Sequence, residues 1–203
     1  MVKILETAHI SERLENQLRF MIEVDKLKTI LRRNHTTNNR RENTAEHSWH
    51  ITLFALILAE YANEGIDICK VMKMLLIHDI VEIDAGDTFV YDTVGALDKA
   101  EREKAAADRI FGLLPDDQKN QLRDLWQEFE QRETAEARFA AALDRLNPML
   151  LNVLSDGKTW KEHSISVSQV YNHNKHIEEG SIELWDFAQQ LISFAAEQNY
   201  LQR

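Results

Sequence analysis

The stretch NTAEHSWHITLFALILAEYANEG, residues 43–65, decides how the rest of the chain is read. Asn43 followed three places later by Glu46 is a capping-box pattern, in which each side chain satisfies a backbone N–H that the first helical turn leaves free. Beyond it the pattern is helical, through Trp49, Leu53, Leu56 and Ile57, until Gly65 supplies a stop. The segment is apolar on most sides, which predicts a central helix. Its first turn nevertheless carries His47, with His50 one turn on. Polar groups in an interior position need partners.

Outward from this segment the periodicity stays helical. Leu14, Leu18, Met21 and Ile22, then Leu27, Ile30 and Leu31, give one long or two short helices ahead of a loop at Asn34–Asn39. Asp67 caps a second core helix that carries Val71, Met74, Leu75 and Ile80 and stops before Gly86. The charge-laced segments Ala96–Phe111 and Pro115–Gln131 are expected at the periphery. Thr134 opens a helix through Phe139, Leu143, Leu146 and Leu150 with Pro148 inside it, so a kink near Asp144 is expected. Ser166 and Ser181 cap the last two. Strand alternation is absent. The expected fold class is all-α, one single-domain helical bundle of about eight helices over residues 1–203.

Composition narrows the function. Folding 203 residues buries about 70 % of the unfolded surface, ample for one core. Cys69 is the only cysteine, which excludes an internal disulfide and any cysteine-based metal cage; in its apolar run it is expected to be a buried, inert thiol. The longest apolar run, Ile51–Ala59, is far short of the ~20 residues of a membrane span, and the first ten residues show no signal-peptide core, so a cytoplasmic protein is expected. Lys+Arg 24 against Asp+Glu 34 leaves a net charge of −10, which disfavours nucleic acid and anionic membranes as partners. Against that background Lys26–Arg41 holds six positive charges and no acidic residue. Such an island is either a solvated loop flank or a pocket for a small anion such as phosphate.

Phosphate loops of the Rossmann and Walker types and GxSxG elbows do not occur. What stands out is polarity at positions the apolar pattern marks as interior: His47, His78, Asp79 and Asp144. Each alone has a bland reading as a capping or core residue, with Asp144 pairing Arg145 or Arg138. Together they form a nitrogen and oxygen set that suits Mn, Fe, Co, Ni or Zn and suits Mg or Ca poorly. Glu82 falls on the same helix face as His78 and Asp79, with Asp84 and Asp87 close behind, and His50 is an alternative ligand.

Residues 41–50 (RENTAEHSWH), 78–87 (HDIVEIDAGD), 136–139 (EARF) and Leu143-Asp144 together resemble the HD-domain metal-dependent phosphohydrolases, in particular the 5′-deoxynucleotidase-like branch. The likeness runs from about residue 14 to the last helix, with the metal-site motifs within 42–144. It implies the HD-domain fold, one divalent transition ion held by His47, His78, Asp79 and Asp144, and Glu82 and Asp87 as the catalytic carboxylates beside water and substrate. It implies Arg32 as the phosphate-binding residue. The chain departs from that branch just after Arg32, where Arg33-Asn34-His35 stand in place of the usual aromatic; this bears on nucleoside selection more than on phosphate chemistry. The function implied is hydrolysis of a small-molecule phosphate ester, first of all a (deoxy)nucleoside 5′-monophosphate. The alternatives are another ester, such as a nucleoside triphosphate or cyclic nucleotide, and a non-catalytic metal- or nucleotide-binding module. An exposed apolar face would suit a homodimer.

Overall fold

The computed structural model describes residues 9–92 and 94–203; the leader reading made on the first ten residues falls almost entirely outside them. Helix α1 (Glu12–Val24) starts at Ser11, whose hydroxyl accepts from Leu14 N, and passes into a 3-10 turn at Asp25–Thr29. A small antiparallel hairpin follows, β1 (Leu31–His35) and β2 (Arg41–Asn43), pairing Leu31 with Asn43 and His35 with Arg41 across an irregular register. This corrects the expectation of a bare loop and no strands. At three to five residues per strand, the hairpin is too short to show an alternating pattern.

Asn43 then caps α2 (Thr44–Leu58), and both bonds of the capping box are formed. Asp67 caps α3 (Ile68–Ile77), accepting from the N–H groups of Cys69 and Lys70. The helix expected to run on to Gly86 does not. It tightens into a 3-10 turn at His78–Val81 and ends in α4 (Glu82–Ala85). Gly86 closes α4 at φ +75°, a conformation open to glycine at little cost, and so turns Asp87 back toward the bundle.

The remaining helices are α5 (Lys99–Phe111), α6 (Asp116–Gln131), α7 (Ala135–Leu154), α8 (Lys158–Glu162), α9 (Val167–Asn174), α10 (Ile177–Gly180) and α11 (Ile182–Glu197). Thr134, Ser166 and Ser181 cap α7, α9 and α11 as expected. Helix α7 runs unbroken past Pro148. It is the axis of the fold: Ala137, Ala140, Ala141 and Ala142 are buried and let neighbours approach closely. At Gly180 any Cβ would lie 2.4 Å from the Arg138 carbonyl, so glycine is what lets α10 lie against α7.

Two apolar clusters result. The larger joins Ile51 and Ala55 of α2, Val71, Met74 and Leu75 of α3, Phe139 and Leu143 of α7, and Leu191 of α11. The smaller joins Phe20, Ile80, Val81, Ala107, Ile110, Phe111 and Trp126. Helix α5 is therefore half of a core rather than peripheral. Helix α2 corrects the sequence reading the other way: Trp49, Leu53, Leu56 and Ile57 are all exposed, so its apolar outer face lies on the surface. Cys69 is exposed too, on the outer side of α3's first turn. Both errors share a cause, because apolar content does not say which face of a helix meets its neighbours.

Candidate metal centre and active site

Three elements converge on one point. His47 comes from the first turn of α2, His78 and Asp79 from the 3-10 turn after α3, and Asp144 from the middle of α7. Asp144 Oδ1 lies 2.9 Å from His47 Nε2 and 3.6 Å from His78 Nε2, and the three ligand atoms lie within 4.8 Å of one another. Asp79 Oδ1 is 3.0 Å from His78 Nε2, while its Oδ2 accepts from Arg32 Nη1 at 2.9 Å. The structure thus brings together all four residues picked out as candidate ligands, with Arg32 attached to one of them.

The tightened turn matters. In a 3-10 turn successive side chains are ~120° apart, so His78 and Asp79 diverge and meet the other elements from two sides. His78 Nδ1 lies 3.0 Å from the Leu75 carbonyl, to which it donates, leaving Nε2 to face the carboxylates, buried and without a well-formed hydrogen bond. That is how proteins commonly fix a ligand histidine's tautomer and ring orientation. Burial, helped by Arg32, pushes His47 down to about 4, so its imidazole is neutral. Burial works against the charged form of His78, but Asp79 and Asp144 override it and hold the imidazole well above its ordinary value. Burial likewise opposes ionisation of Asp79, yet His78 and Arg32 keep its carboxyl below the usual range. The cluster draws positive charge to its centre, and its orphaned His78 nitrogen and mixed donor set fit a divalent transition ion.

Arg32 is the one member of the basic island that faces deeply inward. Lys26 pairs with Glu23 at 2.8 Å, Arg40 pairs with Glu46 at 2.7 Å, and Lys28 pairs with Asp25, all on the surface. For Arg32 burial would lower the pKa, but Asp79, Glu82, Asp87 and Asp144 together hold it firmly charged. Its Nε lies 3.7 Å from Glu42 Oε2, and that same oxygen lies 3.6 Å from His47 Nδ1. All three atoms are buried and otherwise unbonded. Glu42, which sequence reasoning quoted in its motif without giving it a role, therefore stands behind both a candidate ligand and the candidate phosphate residue. Burial pushes it up to about 7, against the pull of Arg32.

Glu82 is buried beside this cluster, its Oε2 accepting from Thr44 Oγ1 at 3.0 Å. Burial and then Asp79 push its carboxyl well up. Asp87 lines the same cavity, its carboxyl also raised by burial. Asp84 is not there; it pairs with Arg109 at 2.7 Å on the outside. His50 is directed away as well, accepting from Asn147 Nδ2 at 3.0 Å and packing against Phe54. Lys104 pairs with Asp108 on the surface.

These groups close one end of a cavity of about 230 Å³. The same cavity is also lined by Tyr91, Arg145, Trp160, His173, Asn174 and His176. None of these was singled out for the cavity from sequence. Only their polarity beside apolar neighbours signalled them.

Residues 24–185 match the family model described as HD domain. The 5′-deoxynucleotidase HDDC2 of Danio rerio is 30 % identical over 139 residues, 68 % of each chain. That of Xenopus laevis is 33 % identical over 135 residues, 66 % of each. The matched stretch spans about two thirds of those relatives. A Magnetospirillum magnetotacticum crystal structure described as a predicted metal-dependent phosphohydrolase is 54 % identical, with a TM-score of 0.90 over 94 % of this chain and 96 % of that one. A Pyrococcus horikoshii protein at 18 % identity and a TM-score of 0.62 shares the fold, covering 89 % of this chain and 99 % of its own.

Proposed function

The chain belongs to the HD-domain family, and on that premise we propose that it is a metal-dependent phosphomonoesterase releasing phosphate from nucleoside 5′-monophosphates, deoxynucleotides in particular. The observation that carries this is Arg32 bonded at 2.9 Å to Asp79, within the cluster of His47, His78 and Asp144. The same activity is in the names of the relatives from fish and frog. His47, His78, Asp79 and Asp144 would hold one divalent ion. When bound, such an ion supplies Lewis-acid stabilisation of phosphoryl charge and lowers the pKa of water.

Arg32 leaves its bond to Asp79 in part to present paired donors to two phosphate oxygens, which a lysine cannot match geometrically. Glu42 holds the back of that guanidinium and the Nδ1 side of His47, so binding and ligand geometry are set by one carboxylate. Glu82, steadied by Thr44, orients the attacking water and takes its proton in the ionised form that the charge of a bound cation would favour. Attack at phosphorus breaks the bond to the 5′ oxygen. Asp87, carried by the Gly86 turn and with its carboxyl raised by burial, gives that oxygen its proton.

We place the enzyme in the cytoplasm as a homodimer. The exposed α2 ridge of Trp49, Leu56 and Ile57 lies beside an apolar groove of about 370 Å³ lined by Leu53, Ile57, Leu146, Leu150 and Phe187. A ridge and groove on one face suit a two-fold contact with a second copy.

Phosphate release from a panel of nucleotides, with Mn, Co, Ni, Zn and Mg added back to chelated protein, tests the activity. Release from 5′-monophosphates with a transition ion is expected. Release from triphosphates or cyclic nucleotides alone would refute the substrate assignment.

A further inference from the structure

The cavity is longer than the ion and phosphate site requires. Past Arg145, whose Nε lies 3.7 Å from Asp144 Oδ2, it continues to two histidines that no step above uses. His173 belongs to the last turn of α9, and His176 to the two-residue joint before α10. Their rings lie 6.4 Å apart and nearly perpendicular, and the His173 ring is 5.6 Å from that of Tyr91. Nε2 of each is buried and has no hydrogen-bond partner among the described residues. Two buried, unsatisfied nitrogens on side chains that line a cavity are costly unless a ligand meets them.

Their charge state decides what kind of ligand. Burial and the Arg145 guanidinium push His173 down to about 3 and His176 to about 4, so both are neutral at physiological pH. Neutral imidazoles offer single donors and acceptors in a plane, not charge. Tyr91 and Trp160 add aromatic walls. Planar polar edges between aromatic surfaces are how proteins commonly read an unpaired base.

We infer that His173 and His176, walled by Tyr91 and Trp160, form a subsite that reads the nucleobase edge while the phosphate lies at Arg32. This rests on the nucleotide reading above and deepens it: the enzyme discriminates among bases. Both histidines line the same cavity as Arg32, so a base joined to that phosphate through its sugar would share the cavity with them.

The test pairs turnover with binding in metal-loaded protein. Values of kcat/KM are measured for the four deoxynucleoside 5′-monophosphates and for deoxyribose 5-phosphate, which has no base. Binding of the four free deoxynucleosides is followed by calorimetry. The proteins are wild type, His173→Phe, His176→Phe and the hydrogen-bonding replacement His176→Gln, each checked for an unchanged melting profile. Wild type should prefer one base by about tenfold or more, the scale of one well-made hydrogen-bond contact. The Phe variants should lose that preference through KM, with deoxyribose 5-phosphate unchanged within twofold, and His176→Gln should retain part of it. Equal rates and equal binding for all bases in wild type overturn the inference while leaving the nucleotidase reading intact. So does a loss in the Phe variants that is the same for the baseless substrate. Base-selective nucleoside binding that the variants abolish, without phosphate release from any nucleotide, supports the subsite and refutes the nucleotidase reading.

Discussion

The two ends of the cavity are built on opposite principles. At the Arg32 end, Arg32 of β1, His78 and Asp79 of the 3-10 turn and Asp144 of α7 carry charges that balance one another across 2.9 to 3.6 Å around the neutral His47 of α2. Removing any one leaves a buried charge without its counterpart, which is far more costly than losing an exposed pair. At the His173 end the two histidines are neutral, flank the α9–α10 joint, and have Nε2 atoms without a partner among the described residues. One end is fixed by its own electrostatics before any substrate arrives. The other is completed by what binds. The difference separates chemistry from selection along a single cavity.

The largest effect is expected at the charged end. Asp79→Ala removes a candidate ligand and the partner of Arg32 together, so phosphate release should fall more than about 10³-fold, as for groups acting as a unit. Metal stoichiometry by elemental analysis should fall well below one while circular dichroism stays helical, since packing of the apolar faces carries the fold. Full metal occupancy in that variant would break the comparison. Glu82→Gln should lower kcat by about 10² to 10⁴ with metal content unchanged. Recovery of full rate at saturating metal would instead make Glu82 a support for the ligands. Arg32→Lys keeps the charge and loses the paired donors, so KM should rise about 10- to 100-fold without any change in metal affinity. Unchanged kinetics would move the phosphate away from Arg32.

The smallest effect sharpens the other end. His173 and His176 sit near 3 and 4 when folded and about 6.5 when unfolded. Between about pH 4 and 6.5 the unfolded chain binds protons that the folded chain does not. Stability therefore falls as pH drops through that window, by at most about 1.4 kcal/mol per pH unit for each histidine and less for their partial exposure. Urea midpoints at pH 7, 6 and 5 should show this slope, and His173→Phe should flatten it. A variant slope as steep as wild type would show that His173 is not held neutral.

Much of this was legible in the sequence, for identifiable reasons. Caps are local chemistry, and Asn43, Asp67, Thr134, Ser166 and Ser181 all cap where their side chains said they would. The convergence of His47, His78, Asp79 and Asp144 was legible because charge among apolar neighbours demands a partner. Facing was not legible: Trp49 and Ile57 point outward, and Asp84 turns to Arg109 instead of the cavity. Nor was the break of α3 into a 3-10 turn at His78, because the residues on either side remain good helix formers. Glu42 and the pair His173 and His176 gain their meaning only from neighbours distant in sequence.

The central claim is that one cation sits where α2, the 3-10 turn and α7 meet, next to Arg32. A crystal of manganese-loaded protein, with the ion located by anomalous scattering, tests it most directly. One peak is expected in contact with His47 Nε2, His78 Nε2, Asp79 and Asp144, with the Arg32 guanidinium facing it from the cavity side. A fully occupied ion elsewhere, or a loaded crystal with none of these four side chains in contact with it, would contradict the account.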